Sequence, residues 1–272
     1  MWFFIPTLLV TAFVYSPAVA GNLTLNGNFV QGGLVIGRTD PGTRVTLFKR
    51  DIRVDNKGTF IFGFSHDNKE KIEISAVFTD GRKIHRRLNV KQRKYLVQRI
   101  DGLPRRMVTP AESDFGKIRR EAKLIYTARS ICTPLNNFSK GLVLPVKGEI
   151  SGVYGSQRVL NGRPRRPHLG LDIAAPVGTK VIASADGAVS LAEKDLYFTG
   201  GTVIVDHGHG LSTVYSHLRS LFVGVGDRVT QGQTIGLVGS TGRSTGPHLD
   251  WRVNWFQTRL DPMLFVNLNR NK

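Results

Sequence analysis

The stretch Pro167-His-Leu-Gly-Leu-Asp-Ile173 alternates polar and apolar residues, and Gly246-Pro-His-Leu-Asp-Trp251 does the same further along the chain. Read as β-strands, both segments place polar side chains on one face and apolar side chains on the other. The polar faces carry His168, Gly170 and Asp172 in the first segment, and His248, Asp250, Arg252 and Asn254 in the second. Histidine and carboxylate are ligands that suit zinc. A polar cluster held against an apolar core therefore predicts a metal centre.

A third segment, Thr213-Val-Tyr-Ser-His-Leu218, has the same alternation. Strand geometry predicts that Thr213, Tyr215 and His217 lie on one face. If the three segments share a groove, zinc would be held by His168, Asp172 and Asp250, with one position left open for water. Zinc would then activate that water for attack on a scissile carbonyl. His217 and His248 would act as acid or base and as oxyanion stabiliser.

Two other features of the chain have structural explanations. Asp206-His-Gly-His-Gly210 contains two histidines, but its glycines lie between two predicted strands and indicate a hairpin turn. The single cysteine, Cys132, cannot form an internal disulfide and lies in a polar connecting stretch. We interpret all three side chains as structural rather than catalytic.

The chain has 272 residues and a formal net charge of +18, which is unevenly distributed. Residues 21–140 contain 24 Lys and Arg against 11 Asp and Glu, and the run 82–106 contains ten basic residues and one acid. In an exported protein this charge favours attraction to an anionic envelope surface. The alternative is the solvated face of a basic protein. Nucleic acid is not expected, because the basic run lacks a recognition motif and interleaved aromatic residues.

The N-terminal residues predict export. Residues 2–20 carry no charge and end in Ala18-Val-Ala20, the small-residue pattern of a signal-peptide cleavage site. An uncleaved anchor is the alternative, but Pro6 and Pro17 would make a poor spanning helix. The sequence therefore predicts a signal peptide over 1–20 and a location in the periplasm or cell envelope.

The rest of the chain is predicted to be all-β with one helical connector. Residues 21–96 contain short β-branched and aromatic runs separated by turn signals, which favour a small immunoglobulin-like sandwich. Residues 97–141 form a linker in which apolar residues recur at helical spacing up to about residue 129. Residues 142–267 are richer in glycine and predict a second β domain.

The C-terminal domain resembles the M23 (LytM/lysostaphin-type) zinc metallopeptidases. The resemblance spans about residues 142–266 and is carried by six motifs in the family's order: Tyr154-Gly-Ser-Gln-Arg158, His168-Leu-Gly-Leu-Asp172, Ala174-Ala-Pro-Val-Gly178, Tyr215-Ser-His-Leu218, Gly224-Val-Gly-Asp-Arg-Val229 and Ser244-Thr-Gly-Pro-His248. It implies a two-sheet antiparallel β fold, one zinc per chain and exported enzymes that cut peptide cross-links of peptidoglycan. His168 and Asp172 match the family's first two metal ligands. His217 and His248 match its two non-ligand catalytic histidines.

The chain departs from the family pattern at Asp250, where the usual His-x-His motif ends in a second histidine that binds zinc. Aspartate can also bind zinc. Two carboxylates and one imidazole would make the metal site formally neutral, which predicts weaker Lewis acidity and a shift toward harder metals.

Two other functions compete with that of a zinc endopeptidase. One is a non-catalytic member of the family that binds peptidoglycan or activates a cell-wall amidase. The other is a carrier domain, suggested by residues 226–236, but no lysine for attachment lies within 221–242.

Overall fold

The computed structural model describes residues 22–102 and 108–266. The predicted signal peptide, residues 1–20, lies outside the described residues. In the part of the chain that the structure describes, no helix is long and apolar enough to cross a membrane.

The N-terminal unit consists of seven short strands in two antiparallel sheets. The strands are β1 (Thr24–Gly27), β2 (Leu34–Arg38), β3 (Arg44–Leu47), β4 (Arg50–Ile52), β5 (Thr59–Gly63), β6 (Lys71–Val77) and β7 (Lys83–Asn89). One sheet has the order β1-β2-β5 and the other β4-β3-β6-β7. The aromatic run on β5 fills the space between them, and Phe60 and Phe62 are fully buried. The predicted small β unit is therefore present as two sheets around an aromatic core.

The predicted linker contains a strand and a helix, both packed on the C-terminal domain. Strand β8 (Val97–Ile100) pairs in parallel with β10 (Gln157–Leu160). Helix α1 (Phe115–Arg129), preceded by a 3-10 turn (Glu112–Asp114), packs through Ile125 and Ala128 on a small apolar cluster. Phe115 and Tyr126, which the helical spacing assigns to the packed face, are exposed. Only a narrow stripe of this basic helix contacts the sheet.

The C-terminal domain is built from strands with one short terminal helix. Its elements are β9 (Glu149–Gly152), β10, β11 (Arg163–Pro164), β12 (Leu171–Ala174), β13 (Lys180–Ile182), β14 (Gly187–Leu196), β15 (Gly200–Gly208), β16 (Leu211–Leu221), β17 (Arg228–Val229), β18 (Thr234–Val238), β19 (His248–Trp255), β20 (Thr258–Leu260) and α2 (Met263–Val266). The main sheet has the order β17-β14-β15-β16-β19-β12-β9. Strand β16 pairs with β19 along its first half and with β18 along its second half, so the sheet branches there.

Strand register brings the polar faces of β12 and β19 together. Asp172 on β12 lies opposite Asp250 on β19, and Asp250 lies opposite Ser216 on β16. The neighbouring residues Leu171 and Trp251 point to the other face, where they are fully buried in the core. The alternation that is visible in the sequence therefore places the two aspartates side by side on one face.

The two units pack against each other through both apolar and charged contacts. Their buried side chains form one continuous hydrophobic cluster. Arg93, which follows β7, bonds to Oδ2 of Asp261 after β20 at 2.7 Å. The close approach of Leu260 to Gly63 leaves no room for a side chain on that glycine.

Candidate metal centre and active site

His168, Asp172 and Asp250 are buried together, with one ligand atom of each within 4.8 Å of the others. The two aspartates are neighbours across the β12–β19 pair. His168 precedes β12, because the strand begins only at residue 171, so the predicted strand over 167–173 is too long. Its backbone is fixed by hydrogen bonds instead: its N–H donates to Ser156 O at 2.8 Å and its carbonyl accepts from Gly155 N at 2.6 Å.

The Nε2 atom of His168 fits the role of a metal ligand. It is buried and has no hydrogen-bond partner among the described residues. It lies 3.2 Å from Oδ1 of Asp172, but outside hydrogen-bonding geometry. Buried polar atoms are nearly always paired, so an unpaired imidazole nitrogen facing two carboxylates is placed to bind a cation. The donor set of one imidazole and two carboxylates suits zinc.

Two glycines allow the carboxylates to sit this close to the neighbouring backbone. A Cβ on Gly152 would lie 2.5 Å from Oδ2 of Asp172. A Cβ on Gly170 would lie 2.6 Å from Oδ1 of Asp250. A side chain at either position would force the neighbouring carboxylate to move.

Asp172 is held by an arginine as well as by its place on β12. Nη2 of Arg158, on β10, donates to Oδ2 at 2.6 Å and leaves Oδ1 facing His168. Burial and the charge of Asp250 raise the pKa of Asp172, but contact with His168 and the positive charge of Arg158 outweigh them and lower it below the ordinary value. Asp172 is therefore an ionised carboxylate at neutral pH.

Asp250 is paired with Arg252, two residues later on the same face of β19. Nε of Arg252 donates to Oδ1 at 2.8 Å and to Oδ2 at 3.1 Å, and Nη2 also donates to Oδ2. Burial opposes ionisation, but the charge and hydrogen bonds of Arg252 hold the pKa of Asp250 well below its usual range. The prediction of a formally neutral metal site counts only the three ligands and the metal, and it does not count the neighbouring arginines. Each carboxylate has its own guanidinium, so a divalent metal would keep its two positive charges.

His217 reaches the site through an irregularity in β16 and not through strand alternation. Tyr215 lies opposite Trp251 and faces the core, so regular alternation would also turn His217 away from Asp250. The prediction that Thr213, Tyr215 and His217 share the site face is therefore wrong for the first two. The register of β16 against β15 shifts by one residue next to His217, which has a φ of 66°. This bulge turns the His217 side chain toward the candidate ligands His168, Asp172 and Asp250.

The two non-ligand histidines lie together with defined hydrogen bonds. Their ring centroids are 4.8 Å apart. Nδ1 of His217 lies 2.7 Å from Thr241 O, and a carbonyl can only accept, so Nδ1 carries the proton and Nε2 is free in the neutral ring. Nδ1 of His248 likewise donates to Gly246 O at 2.9 Å. Burial lowers the pKa of His217, which favours the neutral form.

The remaining candidates have structural roles, as the sequence predicts. Nδ1 of His207 donates to Asp186 O at 2.7 Å, and Nε2 bonds the Thr213 hydroxyl at 2.8 Å. His209 follows β15 in the turn of the β15–β16 hairpin, with a φ of 53°. Burial raises the pKa of the Cys132 thiol, which makes it a poor nucleophile.

A cavity of about 800 Å³ opens beside the ligands and both free histidines. Gln98 of β8 lines it, so the predicted linker contributes to the wall. Arg158 and Arg252 are the functional residues that the sequence interpretation missed. The sequence contained a signal for both: Arg252 is on the polar face with Asp250, and Arg158 ends the Tyr154 motif.

This geometry defines a class of site. A buried imidazole and two carboxylates are grouped as for one cation, and two further histidines line the same cavity, which is the arrangement of metal-dependent hydrolases. Residues 166–262 match the model of peptidase family M23. The C-terminal domain is therefore an M23 peptidase domain.

Named relatives and a solved structure agree with this assignment. The peptidoglycan DD-endopeptidase ShyA of Vibrio cholerae is 45% identical over 87 residues, which are 32% of this chain and 20% of that protein. The DD-carboxypeptidase/endopeptidase Mpg of Neisseria meningitidis is 47% identical over 91 residues, 33% of this chain and 21% of that protein. The match to these curated relatives therefore spans about a fifth of their length. A crystal structure assigned to peptidase M23 from Pseudomonas aeruginosa has 28% identity and a TM-score of 0.69, covering 87% of this chain and 94% of that chain.

Proposed function

We propose that this chain is an exported, zinc-dependent endopeptidase that hydrolyses the peptide cross-links of bacterial peptidoglycan. The observation that carries the proposal is the buried His168–Asp172–Asp250 set beside two histidines that do not belong to it. The names of the relatives support peptidoglycan as the substrate. A groove in which ligands and free histidines share one cavity suits a polymer that must be bound and cut at one point.

The metal would be held by His168, Asp172 and Asp250. When bound, zinc supplies Lewis acidity to water and to the scissile carbonyl. Arg158 and Arg252 fix the two carboxylates in one orientation, because each guanidinium bonds its own aspartate. This leaves little reorganisation for the reaction to perform.

His217 is the proposed general base. Its Nδ1–H is committed to Thr241 O, so its free Nε2 accepts the proton of the attacking water and later delivers it to the leaving amine. Because burial lowers the pKa of His217, the ring is ready to accept a proton at neutral pH.

His248 is the proposed stabiliser of the oxyanion. Its Nε2 lies 3.8 Å from Oδ1 of Asp172, so a protonated ring would be held beside the ligands with an N–H directed at the reacting carbonyl. Its other nitrogen is anchored by Gly246 O, which fixes the plane of the ring.

Export and surface attraction complete the proposal. Residues 1–20 would be removed as a signal peptide, placing the mature chain in the periplasm or cell envelope.

The exposed basic residues of β7, among them Arg86 and Arg87, would hold the enzyme at an anionic envelope surface. Binding of the mature chain to vesicles containing anionic lipid, and not to neutral vesicles, should disappear in Arg86→Gln/Arg87→Gln. Equal binding to both vesicle types would contradict the surface role.

The test of the main proposal pairs a metal measurement with digestion of purified sacculi. The mature protein should hold one divalent ion and release soluble muropeptides. His217→Ala should keep the metal and lose activity by about 10²–10⁴-fold, whereas Asp250→Ala should lose metal. A metal-free protein without effect on sacculi would contradict the proposal and favour an amidase activator. Muropeptide analysis of the digest identifies the bond cut.

A further inference from the structure

The cavity beside the metal ligands carries a large excess of positive charge. Among the described residues that line it, the acids are Asp172 and Asp250, and the basic residues other than histidine are Arg158, Arg165, Arg166, Arg243, Arg252 and Arg259. Arg158 and Arg252 are paired with the two aspartates. The lining therefore holds four more arginines than carboxylates, before any metal adds its own charge.

Several polar atoms in this lining are buried without a hydrogen-bond partner in the described part of the chain. They include Nε of Arg158, Nε of Arg165 and the side-chain oxygen of Gln98. Arg165 is held in place by a bond from Nη2 to Val108 O at 3.0 Å. Unpaired buried donors and acceptors are rare, so three side chains of this lining keep hydrogen-bonding capacity that no described residue uses, two as donors and one as an acceptor.

Arg243 shares the cavity wall with the other arginines. Burial, together with the charges of Arg158, Arg252 and Arg165, lowers the pKa of Arg243. Arg243 also lies over the ring of Phe198, 4.4 Å from its centroid, which keeps the guanidinium at the cavity wall. Like charges gathered in a concave site repel, and an anionic ligand removes that repulsion.

We propose that this cavity contains a carboxylate-binding subsite, in which Arg165 and Arg243 hold a carboxylate of the peptide while Gln98 accepts a backbone N–H. The inference rests on the proposed endopeptidase function and specifies its substrate class as acidic peptides. The guanidinium fork matches a carboxylate, and a peptide supplies the N–H that a free inorganic anion lacks. Arg158 connects the subsite to the metal centre, because the same side chain bonds Asp172.

The test measures binding separately from turnover. The zinc-loaded His217→Ala variant is titrated calorimetrically with a purified cross-linked muropeptide dimer, and with the same dimer after its carboxylates have been converted to amides. We expect the amide to bind at least about tenfold more weakly, since bonds to charged groups are the strong ones. Arg165→Gln and Arg243→Gln, each in this background, should remove most of that difference.

Arg163→Gln is the matched control. Arg163 is exposed on β11, two residues from Arg165, and does not line the cavity. Its loss should leave the preference for the acid unchanged. Arg165→Lys keeps the charge without the fork and should restore only part of the preference. If Arg165→Gln fails to fold, Arg243→Gln tests the same subsite through a different segment of the chain.

The outcomes separate the subsite from the proposed function. Equal binding of acid and amide overturns the subsite even when sacculi are digested. A preference for the acid that depends on Arg165 upholds the subsite even when sacculi are not digested, and the endopeptidase proposal alone then fails.

In a competition experiment, inorganic phosphate should displace the dimer only weakly. Phosphate that binds more tightly than the dimer would make this a free-anion site and overturn the assignment to a peptide.

Discussion

Arg252 bonds both carboxylate oxygens of Asp250, two residues before it on the same strand. Asp250 is buried and Arg252 half-buried beside His168 and Asp172, so the acid that departs from the family pattern has its own counter-charge. An aspartate–arginine pair is neutral overall, as is an imidazole. The pair can therefore occupy a ligand position without removing the positive charge on which the metal's Lewis acidity depends.

The Asp250–Arg252 pair should be strongly coupled in the metal-free protein. Arg252→Gln leaves a buried carboxylate unpaired, so it should lower the free energy of unfolding by about 3–5 kcal/mol. Asp250→Asn leaves a half-buried guanidinium unpaired, which water can still reach, so its loss should be smaller. The double variant should recover most of that loss. Urea unfolding in the presence of a chelator measures all four proteins. Additive losses in the double variant would show that the pair is not coupled.

Saturating zinc should raise the Tm of Arg252→Gln by more than it raises the Tm of the unsubstituted protein. The unpaired Asp250 gains a cation when the metal binds, whereas in the unsubstituted protein the guanidinium has already neutralised that charge. The measurement is the rise in Tm on adding saturating zinc to chelator-treated protein. An equal rise in both proteins would mean that Asp250 does not face the metal.

Histidine, the family's usual residue at the position of Asp250, should bind zinc more tightly when Arg252 is also changed. Asp250→His leaves the Arg252 charge beside the metal with no carboxylate to neutralise it. We expect zinc to bind at least about tenfold more weakly to this variant than to Asp250→His/Arg252→Gln, the range typical of groups that contact a ligand. Competition with a fluorescent zinc chelator gives both affinities. Tighter binding by the single variant would contradict this account.

Gly170→Ala should lower metal occupancy, because the new Cβ would lie 2.6 Å from Oδ1 of Asp250. Gly246→Ala is the control: it lines the same cavity, and a Cβ there meets nothing within 4 Å. Metal content per chain after dialysis against buffer distinguishes the two. Full occupancy in Gly170→Ala would exclude Asp250 as a ligand in its present position.

The free energy of unfolding should decrease as the pH is lowered, because His207 is buried in its neutral form. Burial lowers the pKa of His207 from 6.5 to about 4, so between these values the unfolded chain binds a proton that the folded chain does not. The stability contributed by the neutral ring is complete above about pH 6.5 and is lost as the pH falls toward 4, about 3 kcal/mol in all. Urea unfolding of chelator-treated protein across this range, compared with His207→Gln, measures it. Parallel curves for the two proteins would contradict the assignment.

The candidate metal ligands were predictable from local pattern. Alternation puts Asp172 on one strand face and Asp250 on another, and the observed register sets them opposite each other. The hairpin turn at His209 was equally predictable, because its glycines mark a turn. His217 was named from its motif, but alternation gave the wrong neighbours for it. A bulge depends on pairing with β15, and one strand's sequence does not display that pairing.

The sequence by itself determined the residue types that can bind a metal, the strand faces that carry them and the turns between them, because these depend on local chemistry and a two-residue period. Only the tertiary structure decided the electrostatics. Arg158 and Asp172 are 14 residues apart in the chain, and Gln98 belongs to a strand outside the family match. Their roles depend on which distant strands pair and how deeply they bury each charge, because the strength of a charge–charge contact depends on distance and on the exclusion of water.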